Sequence, residues 1–421
     1  MRNCLPRFGR TATLYMASQT LASAGFVGIY SLLRILLLLR LGFGPEYIGW
    51  TNAAGAIAYS AMGIPSGLLG QRFGQRRVSL VGGVIIVVCY VATPLMLQAE
   101  GALSRAMPLV MQVLMVGGWA LRSINLLPAL LASATPETRD QITFANQGIG
   151  GIGMFVGTLL GGVLPGLFGS LLGVDLEQPL PYALAITTGA LLGLTSLVPL
   201  WMVREPSQTM ASEVTSEAAP DAVDGERVGR FPLLPVALVV VHVVLQHGGW
   251  GAATAFYGAY LDEALGVSTA TIGGIASVGQ LLGIGAAFAA PFLARRRGNG
   301  AMLTLTTAGL TGALMALTLL PHWVPAAMSQ VSISAFMGIW LPTLQLFTMQ
   351  LVAPEWRSLS YGVLSMAMGG AYALATLAGG YVVAGQGYRA LFGYGIAFAL
   401  AATALIAWTS RHRDAILARS P

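Results

Sequence analysis

Pro136-Glu137-Thr138-Arg139 opens a glycine-rich apolar run that ends Thr158-Leu159-Leu160-Gly161-Gly162. Pro354-Glu355-Trp356-Arg357 opens a second run that ends Thr376-Leu377-Ala378-Gly379-Gly380. One shift relates the two at both ends, since 354 − 136 and 380 − 162 are both 218 residues. A repeat of that period divides the chain of 421 residues into two related halves in tandem.

The composition says what the halves are made of. Apolar residues reach 55% and charged residues only 9%, against roughly a quarter charged in soluble domains. Mean hydropathy is +0.73. The sequence divides into twelve apolar runs, at 12–39, 46–70, 78–98, 107–133, 142–169, 180–203, 231–261, 268–294, 301–320, 323–352, 359–384 and 388–409. Each is long enough to cross about 30 Å of hydrocarbon as a helix. A spanning strand needs only about ten residues, so a barrel does not account for runs of this length. The expected fold is an all-α membrane protein of twelve transmembrane helices in two pseudo-symmetric six-helix bundles.

All 22 basic residues are arginine, and their placement sets an orientation. Arg2, Arg7 and Arg10 precede the first run, Arg72, Arg76 and Arg77 follow the second, and Arg295, Arg296 and Arg297 follow the eighth. Only Arg40, Arg105 and Arg389 fall on the opposite side among the loops. The positive-inside rule then predicts both termini in the cytoplasm and a multi-pass protein of the cytoplasmic (inner) membrane. The net charge of +6 follows from this bias. Arginines scattered along loops do not make a nucleic-acid surface, so no nucleic-acid partner is expected. The lipid bilayer and a small-molecule solute are the expected partners, and the chain is expected to act as a monomer.

Residues 204–230 are rich in Glu, Asp, Ser and Ala and lack apolar periodicity, which predicts a flexible cytoplasmic linker. The expected domains are 1–203, an N-terminal six-helix bundle, the linker 204–230, and 231–421, a C-terminal six-helix bundle with a short cytoplasmic tail. Ala22-Ser23-Ala24 resembles a signal-peptidase triplet, but the apolar run continues through Leu39, so the first helix is expected to be retained. The cysteines, Cys4 and Cys89, suggest neither a disulfide nor a metal site. No metal and no cofactor are expected.

After the second run comes Gly67-Leu68-Leu69-Gly70-Gln71-Arg72-Phe73-Gly74-Gln75-Arg76-Arg77. It resembles the signature loop of the major facilitator superfamily, which is a glycine, three residues, an aspartate, a basic residue, any residue, a glycine and further basic residues. Gly67, Arg72, Gly74, Arg76 and Arg77 match. Arg295-Arg296-Arg297-Gly298 is a degenerate echo in the second half. With the duplicated Pro-Glu-x-Arg loops and twelve runs, the resemblance covers essentially the whole chain. It implies secondary transport by alternating access, with this loop gating the cycle. The family's aspartate takes part in a charge-relay latch that stabilises the outward-facing state, and here Gln71 holds that place. Glutamine keeps the hydrogen bonding and loses the charge, so a weaker latch is expected. The glycine pairs at 161–162 and 379–380 read as places of tight packing or bending, without a ligand role.

None of the 16 acids lies well inside a run, and Glu46, Asp262 and Glu263 sit at run ends. That weighs against a buried carboxylate as a proton site and against a pump for organic cations. On the first run Tyr15, Gln19, Ser23, Phe26, Tyr30 and Arg34 fall within an arc of about 100° at helical spacing. The resemblance places the first, fourth, seventh and tenth helices around the transport path. Two readings of Arg34 stand, cavity lining and snorkelling to the outer surface. Arg122 lies deep in the fourth run, where a lone arginine is costly. It reads either as an anion-binding or coupling group or as a structural hydrogen-bond donor, with Asn125 close to the same face. On the seventh run His242, Gln246, Trp250, Tyr257 and Tyr260 share an arc of roughly 80°, and aromatic rings with polar tips suit an organic ligand. His242 is the candidate for proton coupling, against the plainer reading of a core histidine. Gln330, Ser334 and Gln345 share a face of the tenth run, and Gln280 is a mid-run polar group in the eighth. Each reads as cavity lining or as an interhelical hydrogen bond.

These residues predict a secondary transporter of a small neutral or anionic organic solute, not an enzyme. No Gly-Lys-Ser/Thr phosphate loop occurs, which disfavours ATP-driven transport by this chain. The histidines at 242, 247, 322 and 412 are dispersed, which disfavours a lipid-modifying enzyme. Efflux of amphipathic drugs and a transporter-like sensor without flux are the alternatives.

Overall fold

The computed structural model describes residues 9–133, 138–203, 231–353 and 356–412. Among the described residues are twelve helices of membrane-spanning length. They are α1 Arg10–Arg40, α2 Pro45–Phe73, α3 Gln75–Gln98, α4 Ala102–Ala132, α5 Arg139–Leu172 and α6 Leu180–Met202, then α7 Leu233–Ala264, α8 Thr269–Arg297, α9 Asn299–Leu319, α10 Trp323–Leu351, α11 Arg357–Gln386 and α12 Tyr388–Arg411. Each expected run falls on one helix. Eleven are apolar enough to cross a membrane on composition and length. The other, α2, has 29 residues and so extends about 44 Å. Thr51, Asn52, Ser60 and Ser66 lower its apolar content. The protein is thus a multi-pass, all-α integral membrane protein.

Single glycines separate several helix pairs. Gly74 stands alone between α2 and α3, Gly298 between α8 and α9, and Gly387 between α11 and α12, with φ of 93°, 82° and 82°. A one-residue break between helices uses the left-handed region, which glycine enters without a Cβ penalty. This is the physical role of the signature glycine Gly74 and of its echo Gly298. Beside Gly74, Arg76 donates from Nε to Leu200 O at 3.1 Å and from Nη2 to Trp201 O at 2.5 Å. It thereby satisfies carbonyls at the C-terminus of α6. Gly67 is half-buried, Gln71, Arg72 and Arg77 are exposed, and Arg72 lies over the Phe73 ring.

The helices gather into two compact units. Among the described residues the first holds 9–42, 58–203 and 269–277, and the second holds 43–57, 231–268, 278–353 and 356–412. The division at 1–203 and 231–421 stands as a proposal, and the linker expected at 204–230 lies outside the described residues. So do the Pro136-Glu137 and Pro354-Glu355 ends of the duplicated loops. The first core joins Leu33, Leu36 and Leu37 of α1 to Ile86 and Tyr90 of α3, Met115 of α4 and Tyr182 and Ile186 of α6. The second joins Val239 and Val243 of α7 to Leu303 of α9, Trp340, Leu344 and Phe347 of α10, and Ile406 of α12.

Lipid is as apolar as these cores, so helices associate there through close packing rather than through expulsion of water. The duplicated glycine pairs supply the close approach. In the first unit, a Cβ on Gly161 would stand 3.2 Å from Ile29 Cα of α1, and one on Gly162 would stand 2.9 Å from Gly273 Cα of α8. In the second unit, a Cβ on Gly379 would stand 2.9 Å from the Phe256 ring of α7, and one on Gly380 would stand 2.6 Å from Pro45 O of α2. The first glycine of each pair therefore meets α1 or α7, and the second meets α8 or α2. The repeat in sequence is a repeat of contacts.

Candidate functional site

In the first unit the stripe residues of α1 differ in burial. Tyr15, Ser23 and Tyr30 are buried, while Gln19, Phe26 and Arg34 are half-buried. The helix also changes form along its length. Residues Ala24–Tyr30 form a π-helical turn, whose i→i+5 bonding adds a residue to the turn and rotates everything beyond it. The turn sits where α1 and α5 touch through backbone, a Cβ on Gly157 falling 2.0 Å from Ala24 O. Tyr30 donates to Gln112 Oε1 of α4 at 2.6 Å, and Phe26 stacks on Trp119 with ring centroids 4.6 Å apart.

Arg122 is 1% exposed. Its Nη2 donates to Ser18 O at 2.9 Å and to Ser18 Oγ at 2.5 Å. Nε and Nη1 have no side-chain or backbone partner. The guanidinium borders a cavity of about 10 Å³ lined also by Gly25, Gly83, Tyr90 and Ser196. A Cβ on Gly83 would stand 3.0 Å from Nη1, so glycine is what leaves room for the charged group inside the bundle. Asn125, one turn on, donates from Nδ2 to Ser66 O at 3.1 Å, Ser66 Oγ at 3.0 Å and Leu121 O at 2.8 Å. It ties α4 to α2. Asn125→Ala is expected to lower stability by about 1–2 kcal/mol, read as a lower melting temperature of the detergent-purified protein. Unchanged melting would refute a tie of that strength.

In the second unit His242 is fully buried. Its Nδ1 lies 3.2 Å from Ala402 O, and its Nε2 accepts from Trp340 Nε1 at 3.3 Å. His247 packs edge-on against Trp250 and Trp340, with centroids 5.4 and 5.5 Å apart. Trp250 in turn meets Tyr372 of α11 at 5.5 Å. Gln246 reaches Met337 Sδ at 3.7 Å, and Tyr257 donates to Ala326 O of α10 at 2.9 Å. Gln345 Nε2 donates to Tyr361 at 3.4 Å. Gln280 and Gln330 are half-buried.

Several neutral polar atoms in both units are buried without a protein partner. Among them are Gln19 Oε1, Tyr90 OH, Ser123 Oγ and Asn146 Oδ1 in the first unit, and Gln246 Oε1, Tyr260 OH, Thr307 Oγ1, Gln330 Oε1 and Ser360 Oγ in the second. Gly150, one turn beyond Asn146 on α5, faces Gln19, since a Cβ there would stand 4.0 Å from Gln19 Cγ. Ser123, Asn146, Gln112 and Tyr372 escaped the sequence reading. Single small polar residues inside apolar runs carry no signal of which neighbour they face. Among the described residues the acids keep to helix ends and loops. Glu46, Asp140, Asp262 and Glu263 stand in end turns, and Glu100, Asp175 and Glu177 lie between helices. No group of three His, Cys, Asp or Glu there could hold a metal ion. Each unit can hydrogen-bond a neutral solute through such atoms, the second can also stack against it, and among the described residues neither offers a cation a carboxylate well inside its helices.

No curated protein matches the sequence. The sequence profile of the Major Facilitator Superfamily matches residues 8–376. Similar solved structures include the nucleoside transporter NupG, with TM-score 0.68 and 15% identity, covering 94% of this chain and 98% of that one. The xylose transporter XylE from E. coli gives TM-score 0.68 at 12% identity, covering 94% and 96%. A bacterial homologue of the iron transporter ferroportin gives TM-score 0.64 at 15% identity, covering 94% and 98%.

Proposed function

The chain belongs to the major facilitator superfamily, and on that premise we propose that it is a secondary transporter of a small, neutral, hydrogen-bonding organic solute, moved by alternating access. The observation that carries this reading is the set of unpartnered amide oxygens on Gln19, Asn146, Gln246 and Gln330. A buried polar atom without a partner is costly, and a solute bearing hydroxyl or amide donors satisfies it. The Trp250–Tyr372 rings add an apolar contact surface of the kind organic ligands use. An anionic solute is less well supported, because Arg122 is held through Nη2 by Ser18, and the cavity of about 10 Å³ beside it leaves no room for an organic anion at Nε and Nη1. The two hydrogen bonds of His242 do not favour a proton-coupling role. Trp340 donates to its Nε2 while Ala402 O takes the proton of Nδ1, an arrangement that suits the neutral ring. The arginine bias supports an inner-membrane placement with cytoplasmic chain ends.

Counterflow in proteoliposomes tests the proposal with a panel of sugars, polyols, nucleosides, carboxylates and lipophilic cations. Exchange is expected for a neutral polyhydroxylated or amide-bearing solute. Gln19→Leu and Gln330→Leu are each expected to lower the rate about tenfold, the worth of one hydrogen bond in an apolar site, with normal melting. Exchange of lipophilic cations alone would favour drug efflux, the reading to which the ring layer also lends itself. Exchange confined to carboxylates would refute neutrality.

A further inference from the structure

A cavity of about 1260 Å³ opens in the second unit at the C-terminal ends of α8, α10 and α12 and the N-terminal end of α9. Its rim carries Arg295 and Arg297 from the last turn of α8 and Arg411 from the last turn of α12, and its wall carries Leu305, Leu346 and Phe347. None of the residues lining it is acidic. Basic residues in a last turn complement the helix dipole, and that explains the arginines at the ends of α8 and α12. It does not explain an apolar hollow beneath three of them. A cationic rim over an apolar wall, set at one end of membrane-spanning helices, matches an amphiphile with an anionic head.

We propose that this cavity seats an anionic phospholipid, its phosphate held by Arg295, Arg297 and Arg411 and its acyl chains lying on Leu305, Leu346 and Phe347. The chemistry is that of basic pockets between transmembrane helices, where each arginine contributes to attraction of an anionic headgroup. The site is separate from the polar groups assigned to solute, and it holds whether or not the solute reading does.

The test uses the full-length protein in detergent, with phosphatidylglycerol and phosphatidylcholine of identical chains added in parallel, and native mass spectrometry as the readout. Selective retention of phosphatidylglycerol is expected. Each of Arg295→Gln, Arg297→Gln and Arg411→Gln is expected to weaken it about fivefold, and Arg105→Gln on α4 to leave it unchanged. Ala308→Trp, which fills the apolar wall and keeps every arginine, is expected to abolish retention. Lysine at the three positions keeps the charge and is expected to keep retention, which separates binding from folding if the glutamine variants do not accumulate. Equal retention of both lipids overturns the proposal. So does retention indifferent to the three glutamine substitutions. Inorganic phosphate stabilising the protein where phosphatidylglycerol does not would assign the rim to a soluble anion and overturn it as well.

Discussion

Gly157→Ala is expected to destabilise the first unit by about 3 kcal/mol, the upper end of the range for overpacking, and to abolish transport with it. A single methyl group is enough, because the added Cβ would lie 2.0 Å from Ala24 O and 2.6 Å from both Ala24 C and Ala24 Cα. Those are backbone atoms inside the π-helical turn of α1, and they have no side-chain rotation through which to yield. α1 and α5 would have to part along the line of contact that Gly28 and Gly153 also maintain. Nine residues further along α5, Gly166 has nothing within 4 Å of its would-be Cβ. Gly166→Ala is therefore expected to be neutral or to stabilise by up to about 1 kcal/mol through helix propensity. Melting curves of the two variants in one detergent make the comparison. Equal melting temperatures would mean that the α1–α5 approach is looser than described.

Trp340→Ala is the second large effect, about 3–5 kcal/mol for the loss of a buried tryptophan. Trp340 is 1% exposed and sits at the centre of the second core, in ring contact with His242 and His247. Trp340→Phe keeps most of the volume and removes the indole N–H, so its cost isolates the hydrogen bond to His242. A double-mutant cycle of Trp340→Phe with His242→Leu is expected to give a coupling of about 1 kcal/mol. Zero coupling would show that the two side chains are energetically independent. His242 would then regain the standing that the sequence allowed it, a titratable group free to carry a proton.

Much of the fold could be read in the sequence, because its signals are one-dimensional. Run length against bilayer thickness placed every helix, with α2 legible by length more than by apolar content. The duplication marked glycines that prove to be interhelical contact points, since a close backbone approach tolerates no side chain wherever it recurs. The signature loop marked Gly74, whose positive φ makes a one-residue break possible. The candidate site was less legible. A helical wheel placed Gln19 and Tyr30 on one face of α1, and only the structure shows that Tyr30 donates to Gln112 while Gln19 Oε1 meets no protein donor.

The sequence alone determined that the chain is a duplicated bundle of membrane helices with no acid well inside an apolar run, because hydrophobicity, period and charge are properties of single segments. Only the tertiary structure decided which polar groups meet. Arg122 finds Ser18 across 104 positions of sequence, Tyr30 finds Gln112 across 82, and His242 finds Trp340 across 98. A side chain's angle on its own helix is local, but its partner is set by the crossing of two helices, and that crossing is chosen by packing over their whole length.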